Sequence, residues 1–307
     1  MEEKSTNKLN RDYVTNLLMR RSVIALCSGI ITLVFAFYGI VAGIIRTVEV
    51  MEINGFYSFI FYTMISNTFA AFSVTLIIPF AVEGIKRKSF ILPKWIAVLH
   101  YISANTIAIT MFLVLAIMSW IAPDNAFGGA NFITHVICPV LILISFFQIE
   151  NGYIYSLKNI ILAGIPFYIY VFIYSIEVFL IGEANGGWID IYEVKEHMSP
   201  IIAVPMLLFL GFCVSWLVAI ISNFLTKKRV KKRFLYLENG LEPVEAKIEA
   251  YGLGSMMSQI KDENSILIPL DILNYIAKKS HVNTEDLIKS YITGLINGQK
   301  ASKINNK

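Results

Sequence analysis

The chain has 307 residues, 56% of them hydrophobic and only 16% charged, with a mean hydropathy of +0.63. Those proportions exclude an ordinary soluble globular domain. The net charge of +4 is small and gathered beside apolar runs, so it gives no argument for nucleic acid. Cys27, Cys138 and Cys213 stand far apart without CxxC or Cys/His spacing, and point to neither a disulfide framework nor a metal site.

The first 21 residues are polar and carry Lys4, Lys8, Arg11, Arg20 and Arg21. They are too long and too polar for a signal n-region, and no small-residue cleavage site follows, so the first apolar run is expected to be retained. Six such runs follow: Ser22–Arg46, Phe56–Val82, Trp95–Ile121, Ala130–Gln148, Asn159–Ile181 and Ser199–Leu225. Each reaches or approaches the roughly 20 residues a helix needs to cross a bilayer. Backbone groups in lipid must bond within their own segment, which predicts an all-α, polytopic bundle of six transmembrane helices over 22–225.

Basic residues orient the bundle. The N-terminal segment, the loop after the second run (Lys86, Arg87, Lys88, Lys94), Lys158 and the stretch after the sixth run (Lys227, Lys228, Arg229, Lys231, Lys232, Arg233) fall on one side, against Arg46 and Lys195 on the other. The positive-inside rule then puts both termini in the cytoplasm, as for a multi-pass plasma-membrane protein. Aromatic residues, 13% of the chain, suit interfacial belts.

The apolar pattern stops at Thr226. A basic juxtamembrane and linker segment spans 226–264, with a candidate short helix at Val244–Tyr251, and a small α-rich cytoplasmic module spans 265–307. In that module a β-like run, Ile266–Ile268, and Pro269 precede two helices with apolar residues at Ile272, Leu273 and Ile276, and at Leu287, Ile288, Tyr291, Ile292 and Leu295. Asn283 is placed to cap the second helix. The layout resembles the ribbon-helix-helix fold, which implies a homodimer through the tail. Its strand offers mainly Ile and Leu, where a DNA reader needs polar side chains, so a dimerising or docking role fits better than nucleic acid.

Polar residues inside the spans are expensive and usually functional. Thr63, Ser66 and Asn67 share one face of the second span, Asn131 and His135 are a turn apart in the fourth, and Glu177 lies near the end of the fifth. At 1.5 Å per residue Thr63 lies about 10 Å below the start of its run, His135 about 7 Å and Glu177 about 6 Å below the exit of its own. All three therefore sit in the outer half of the membrane, where a hydroxyl and an imidazole suit a nucleophile and its base. The competing reading is packing, since Ser and Thr commonly bond back to the preceding turn or across to a neighbouring helix. His100 reads as interfacial, and His197 and His281 as exposed.

Three segments carry a resemblance: Phe61-Tyr62-Thr63; Asn131-Phe132-Ile133-Thr134-His135 with Pro139 after it; and Gly187-Trp188-Ile189 before the acidic and aromatic Asp190, Tyr192 and Glu193. Over about Ser22–Leu225 the chain resembles a distant bacterial relative of the androgen-induced-gene-one family, six-span membrane hydrolases of fatty-acid esters of hydroxy fatty acids. The resemblance implies Thr63 as nucleophile and His135 as base, a lipid-ester substrate and no metal or other cofactor. Asn131 would orient the ring, Ser66 or Asn67 would donate to the oxyanion, and Glu177 and Trp188 would be accessory. A non-enzymatic carrier, a lipid-binding protein, or a sensor or assembly protein with a dimerising tail is the alternative.

Overall fold

Every apolar run is predominantly helical in the computed structural model, which describes residues 2–51, 54–87, 92–121, 123–148, 154–238, 246–247, 250, 253–254 and 270–303. Six helices are long and apolar enough to cross a bilayer: Ser22–Glu49, Tyr62–Lys86, Trp95–Ile121, Ala130–Gln148, Leu157–Ile181 and Pro200–Arg229, numbered here as spans one to six. No strand occurs among the described residues, and the chain is an all-α, multi-pass integral membrane protein.

Span three stands at the centre, against spans two, four, five and six, with Tyr101, Ala104, Ile107 and Ile109 fully buried. The outward faces of the other spans keep large apolar side chains uncovered, among them Phe37, Phe172, Leu180 and Phe209. Such surface is tolerated in hydrocarbon, where its exposure costs nothing.

Span one holds the bundle together at close range. Gly39 and Gly43 form a Gly-x-x-x-Gly face. A Cβ on Gly39 would collide with the Thr134 methyl in span four, and one on Gly43 would stand 2.7 Å from Met64 Sδ in span two. Bare glycines let backbones approach where apolar burial gives little drive between helices in lipid.

Odd-numbered spans end, and even-numbered spans begin, at one end of the bundle, called here the loop end. Near it, spans three, four and five each contain a π-helical turn: Val114–Met118, Ile133–Ile137 and Ser175–Ile181. Such turns are rare, and they widen a helix locally and re-aim the side chains around them.

At the other end the helices outrun the apolar pattern. The first helix covers Glu2–Met51 and the sixth runs unbroken from Pro200 to Glu238, past the expected division at Thr226. Lys and Arg are good helix formers, so loss of hydropathy does not end a helix. Arg229 donates from its guanidinium to the Phe147 carbonyl, tying span six to span four.

Helices α7 (Leu270–Lys279) and α8 (Thr284–Lys303) make the tail module. Leu273, Ile276, Leu287 and Tyr291 pack there with Ala246, Ala250 and Leu253. Asn283 caps α8 by accepting the Glu285 N–H at 3.1 Å. The Lys247 ammonium, 2.6 Å from Asp286, holds that carboxyl below the usual range. Of the candidate helix Val244–Tyr251, Ala246, Lys247 and Ala250 are helical, and the Ile266–Ile268 run and Pro269 lie outside the described residues.

Candidate active site

The loop end is assembled from the three connections that join spans one to two, three to four and five to six. Before span two, Gly55–Ile60 is a tight 3-10 helix, capped by the Asn54 side chain accepting the Phe56 N–H at 3.0 Å. Phe61 is extended, so the span begins at Tyr62 rather than at the expected Phe56. Thr63 is thus the second residue of its helix, and the folded 55–61 segment, not a turn of span two, lies over it.

His135 sits in the middle of the π-turn of span four and is 5% exposed. Its Nδ1 is 2.8 Å from the Ala126 carbonyl, and its Nε2 is 3.2 Å from Thr63 Oγ1. A carbonyl only accepts, so Nδ1 carries the hydrogen and Nε2 presents its lone pair. The Thr63 hydroxyl therefore donates to Nε2. This is the arrangement in which an imidazole takes a proton from a hydroxyl, with a second group fixing its tautomer.

Ala126 reaches the ring because the helical turn Pro123–Phe127 is folded back by Gly128 and Gly129. Gly129 has φ +55° and ψ −124°, which glycine alone adopts without strain. A Cβ there meets nothing within 4 Å, so substitution acts through the backbone only. Gly129→Ala is expected to cost about 1–3 kcal/mol of stability, read as a lowered unfolding midpoint in detergent. A midpoint equal to the parent's would show that the loop does not need this conformation.

Both expected oxyanion donors have their hydrogens committed. Asn67 Nδ2 bridges the two helices, donating to the Thr63 carbonyl at 2.9 Å and the Thr134 carbonyl at 3.2 Å. The Ser66 hydroxyl donates to the Thr63 carbonyl at 3.0 Å and accepts from Thr110 at 2.8 Å. These residues brace the pair. At the His135 ring the orienting contact is the Ala126 carbonyl, while the Asn131 carbonyl accepts from the Thr134 hydroxyl at 3.2 Å.

Thr63 opens on a cavity of about 160 Å³, with His135 behind it. Span three contributes Thr110 and an apolar wall from Leu113 to Ile121, span five contributes Phe167, Tyr170, Val171 and Tyr174, and span six contributes Leu207. The loop between spans five and six closes the top with residues 191–194. An apolar cleft with a few convergent polar groups is the usual form of a small-molecule site.

Tyr174 and Tyr192 fasten that loop, and Tyr170 ties span five to the segment before span two. Tyr174 donates to Asp190, whose carboxylate also accepts the Val194 and Lys195 N–H groups at 3.1 and 2.8 Å. Tyr170 donates to the Ile60 carbonyl at 2.7 Å, and Tyr192 Oη accepts the Tyr62 N–H at 3.0 Å. Trp188 is half-buried and lies over Tyr170 with ring centres 6.4 Å apart. Glu177 is not among the residues lining the cavity, and its backbone carbonyl accepts the Gly182 N–H at 3.0 Å.

His100, expected at the interface, is enclosed by neighbouring helices. It is 1% exposed, with Nδ1 3.1 Å from Ser73 Oγ and its ring edge-on to Phe146, because spans two and four both cover that part of span three. His197 is exposed, 3.9 Å from Glu193. Among the described residues no group of three or more His, Cys, Asp or Glu is placed to hold a metal ion.

Ala126, Tyr192, Gly39 and Gly43 were not singled out as site-forming residues from the sequence. The Gly-x-x-x-Gly spacing inside an apolar run and the Gly128-Gly129 pair were visible signals for two of these features. A backbone carbonyl such as that of Ala126 leaves none. Comparison of the chain with family models, with curated proteins and with solved structures found no match.

Proposed function

We propose that this protein hydrolyses an ester of a membrane lipid, with Thr63 as the nucleophile and His135 as the general base. The observation that carries the reading is the Thr63–His135 contact of 3.2 Å, with Nδ1 of the same ring held by the Ala126 carbonyl. A Thr used only for packing has no need of a fixed tautomer opposite it. The resemblance of the Thr63, Asn131–Pro139 and Gly187–Trp188 segments to the androgen-induced-gene-one family supports the same two roles. The apolar wall Leu113–Ile121 suits a hydrocarbon chain, and the distribution of basic residues supports an opening toward the outer leaflet.

In the first step Thr63 Oγ1 forms a bond to the ester carbonyl carbon, the hydroxyl proton passes to His135 Nε2, and the carbonyl π pair moves onto oxygen. When the carbonyl re-forms, the bond to the alkoxy oxygen breaks, and that oxygen leaves as an alcohol with the proton from Nε2. Water then repeats the sequence on the acyl-threonine, giving the free acid and restoring Thr63.

A fluorophosphonate probe tests the reading, because it phosphonylates an activated hydroxyl. Peptide mapping of the labelled protein is expected to place the adduct on Thr63. An unlabelled protein, or an adduct elsewhere, overturns the assignment.

A further inference from the structure

Attack on an ester carbonyl puts a negative charge on the former carbonyl oxygen. That charge needs hydrogen-bond donors within about 2.7–3.1 Å, already in place. Donor accounting around Thr63 removes the neighbours on its own helix face. Ser66 spends its one hydrogen on the Thr63 carbonyl, Asn67 spends its pair on the Thr63 and Thr134 carbonyls, and Thr110 donates to Ser66.

The start of span two supplies what they do not. The first four N–H groups of a helix have no partner within it. Here the Tyr62 N–H goes to Tyr192 Oη, and those of Met64 and Ile65 both go to the Phe61 carbonyl at 3.0 and 3.4 Å. Among the described residues, the Thr63 N–H is the one of the four with neither a backbone nor a side-chain acceptor.

The second donor comes from the loop. Tyr192 Oη receives the Tyr62 N–H, one residue before the nucleophile, and both Tyr192 and Thr63 border the cavity. The neighbouring Tyr170 has its single proton on the Ile60 carbonyl at 2.7 Å, and its oxygen is 3.4 Å from Tyr192 Oη. The Tyr192 proton thus has only that long contact to give up, and it is free to turn into the cavity. Burial raises the Tyr192 phenol above its ordinary range, so it keeps its proton at neutral pH.

We infer that the Thr63 amide and the Tyr192 hydroxyl form the oxyanion hole of this site, an inference that rests on the hydrolase reading. The tetrahedral intermediate would then be held by a backbone donor from span two and a phenol from the 182–199 loop. The amide is fixed by the helix, and the phenol is in place only when the loop is seated.

The test uses the full chain in lipid nanodiscs with a medium-chain 4-methylumbelliferyl ester. Tyr192→Phe keeps the ring and removes the donor, and kcat is expected to fall about 10²–10³-fold with KM little changed, as for loss of one oxyanion donor. Should the phenylalanine variant fail to fold, 3,5-difluorotyrosine at position 192 keeps every contact but ionises at lower pH. It is expected to add a loss of kcat at a pH where the native phenol stays protonated. Turnover lost in Thr63→Ala but kept in Tyr192→Phe overturns the oxyanion assignment alone, as does a difluorotyrosine enzyme with the parent pH profile. A parent protein that turns over no ester and takes no fluorophosphonate overturns the hydrolase reading and this assignment with it.

Discussion

If Thr63 and His135 act as proposed, alanine at either is expected to lower ester turnover by about 10²–10⁴-fold, the span attributed to a positioned base, with the double variant falling no further than the worse single one. The two side chains share one proton across 3.2 Å, so removing either ends the same transfer. Groups that act as a unit are non-additive for that reason. Thr63→Ser keeps the hydroxyl and is expected to retain measurable turnover, whereas His135→Gln keeps polarity but not basicity and is not. Steady-state kcat for the four proteins and the double variant settles the matter. Losses that multiply in the double variant would mean that the residues act separately.

Gly39→Leu is expected to be the most damaging change outside the cavity. The Thr134 side chain that any Cβ at this position would strike is β-branched and stiff, and it neighbours His135 in the π-turn. Overpacking of this kind typically costs about 1–3 kcal/mol. Here the strain is relieved by moving span four, so the variant is expected both to unfold at lower temperature and to lose adduct formation. Gly43→Ala makes a useful contrast: its neighbour is the end of Met64, which moves cheaply, and a much smaller loss follows. A Gly39→Leu protein that reacts with the probe at the parent rate would show that span one does not set the Thr63–His135 distance.

Hydropathy and length made the six spans legible, because the bilayer imposes a minimum run that few other structures need. Helix ends were not legible from hydropathy. The start of span two moved from Phe56 to Tyr62 because Asn54 and an extended Phe61 build a separate turn, and span six continued past Thr226 because its basic residues favour helix. That Thr63 and His135 lie at one level followed from depth, a one-dimensional quantity; that they meet did not, because depth says nothing of which faces turn toward each other. The partners of Ser66 and Asn67 did not, because donor commitments depend on which carbonyls come within reach. His100 shows the same limit: its depth was read from position in the run, while its burial comes from spans two and four folding over it.

The order of parts along the chain has a consequence for how such a protein changes over time. Thr63, His135, the Ala126 carbonyl that holds its ring and the glycines of span one all lie in the first half of the chain. Much of the cavity wall, and the loop that covers it, come from the last two spans. Substitutions in the second half can therefore reshape the cavity while the Thr63–His135 contact stays in place, with Tyr192 the point at which that half also reaches the start of span two.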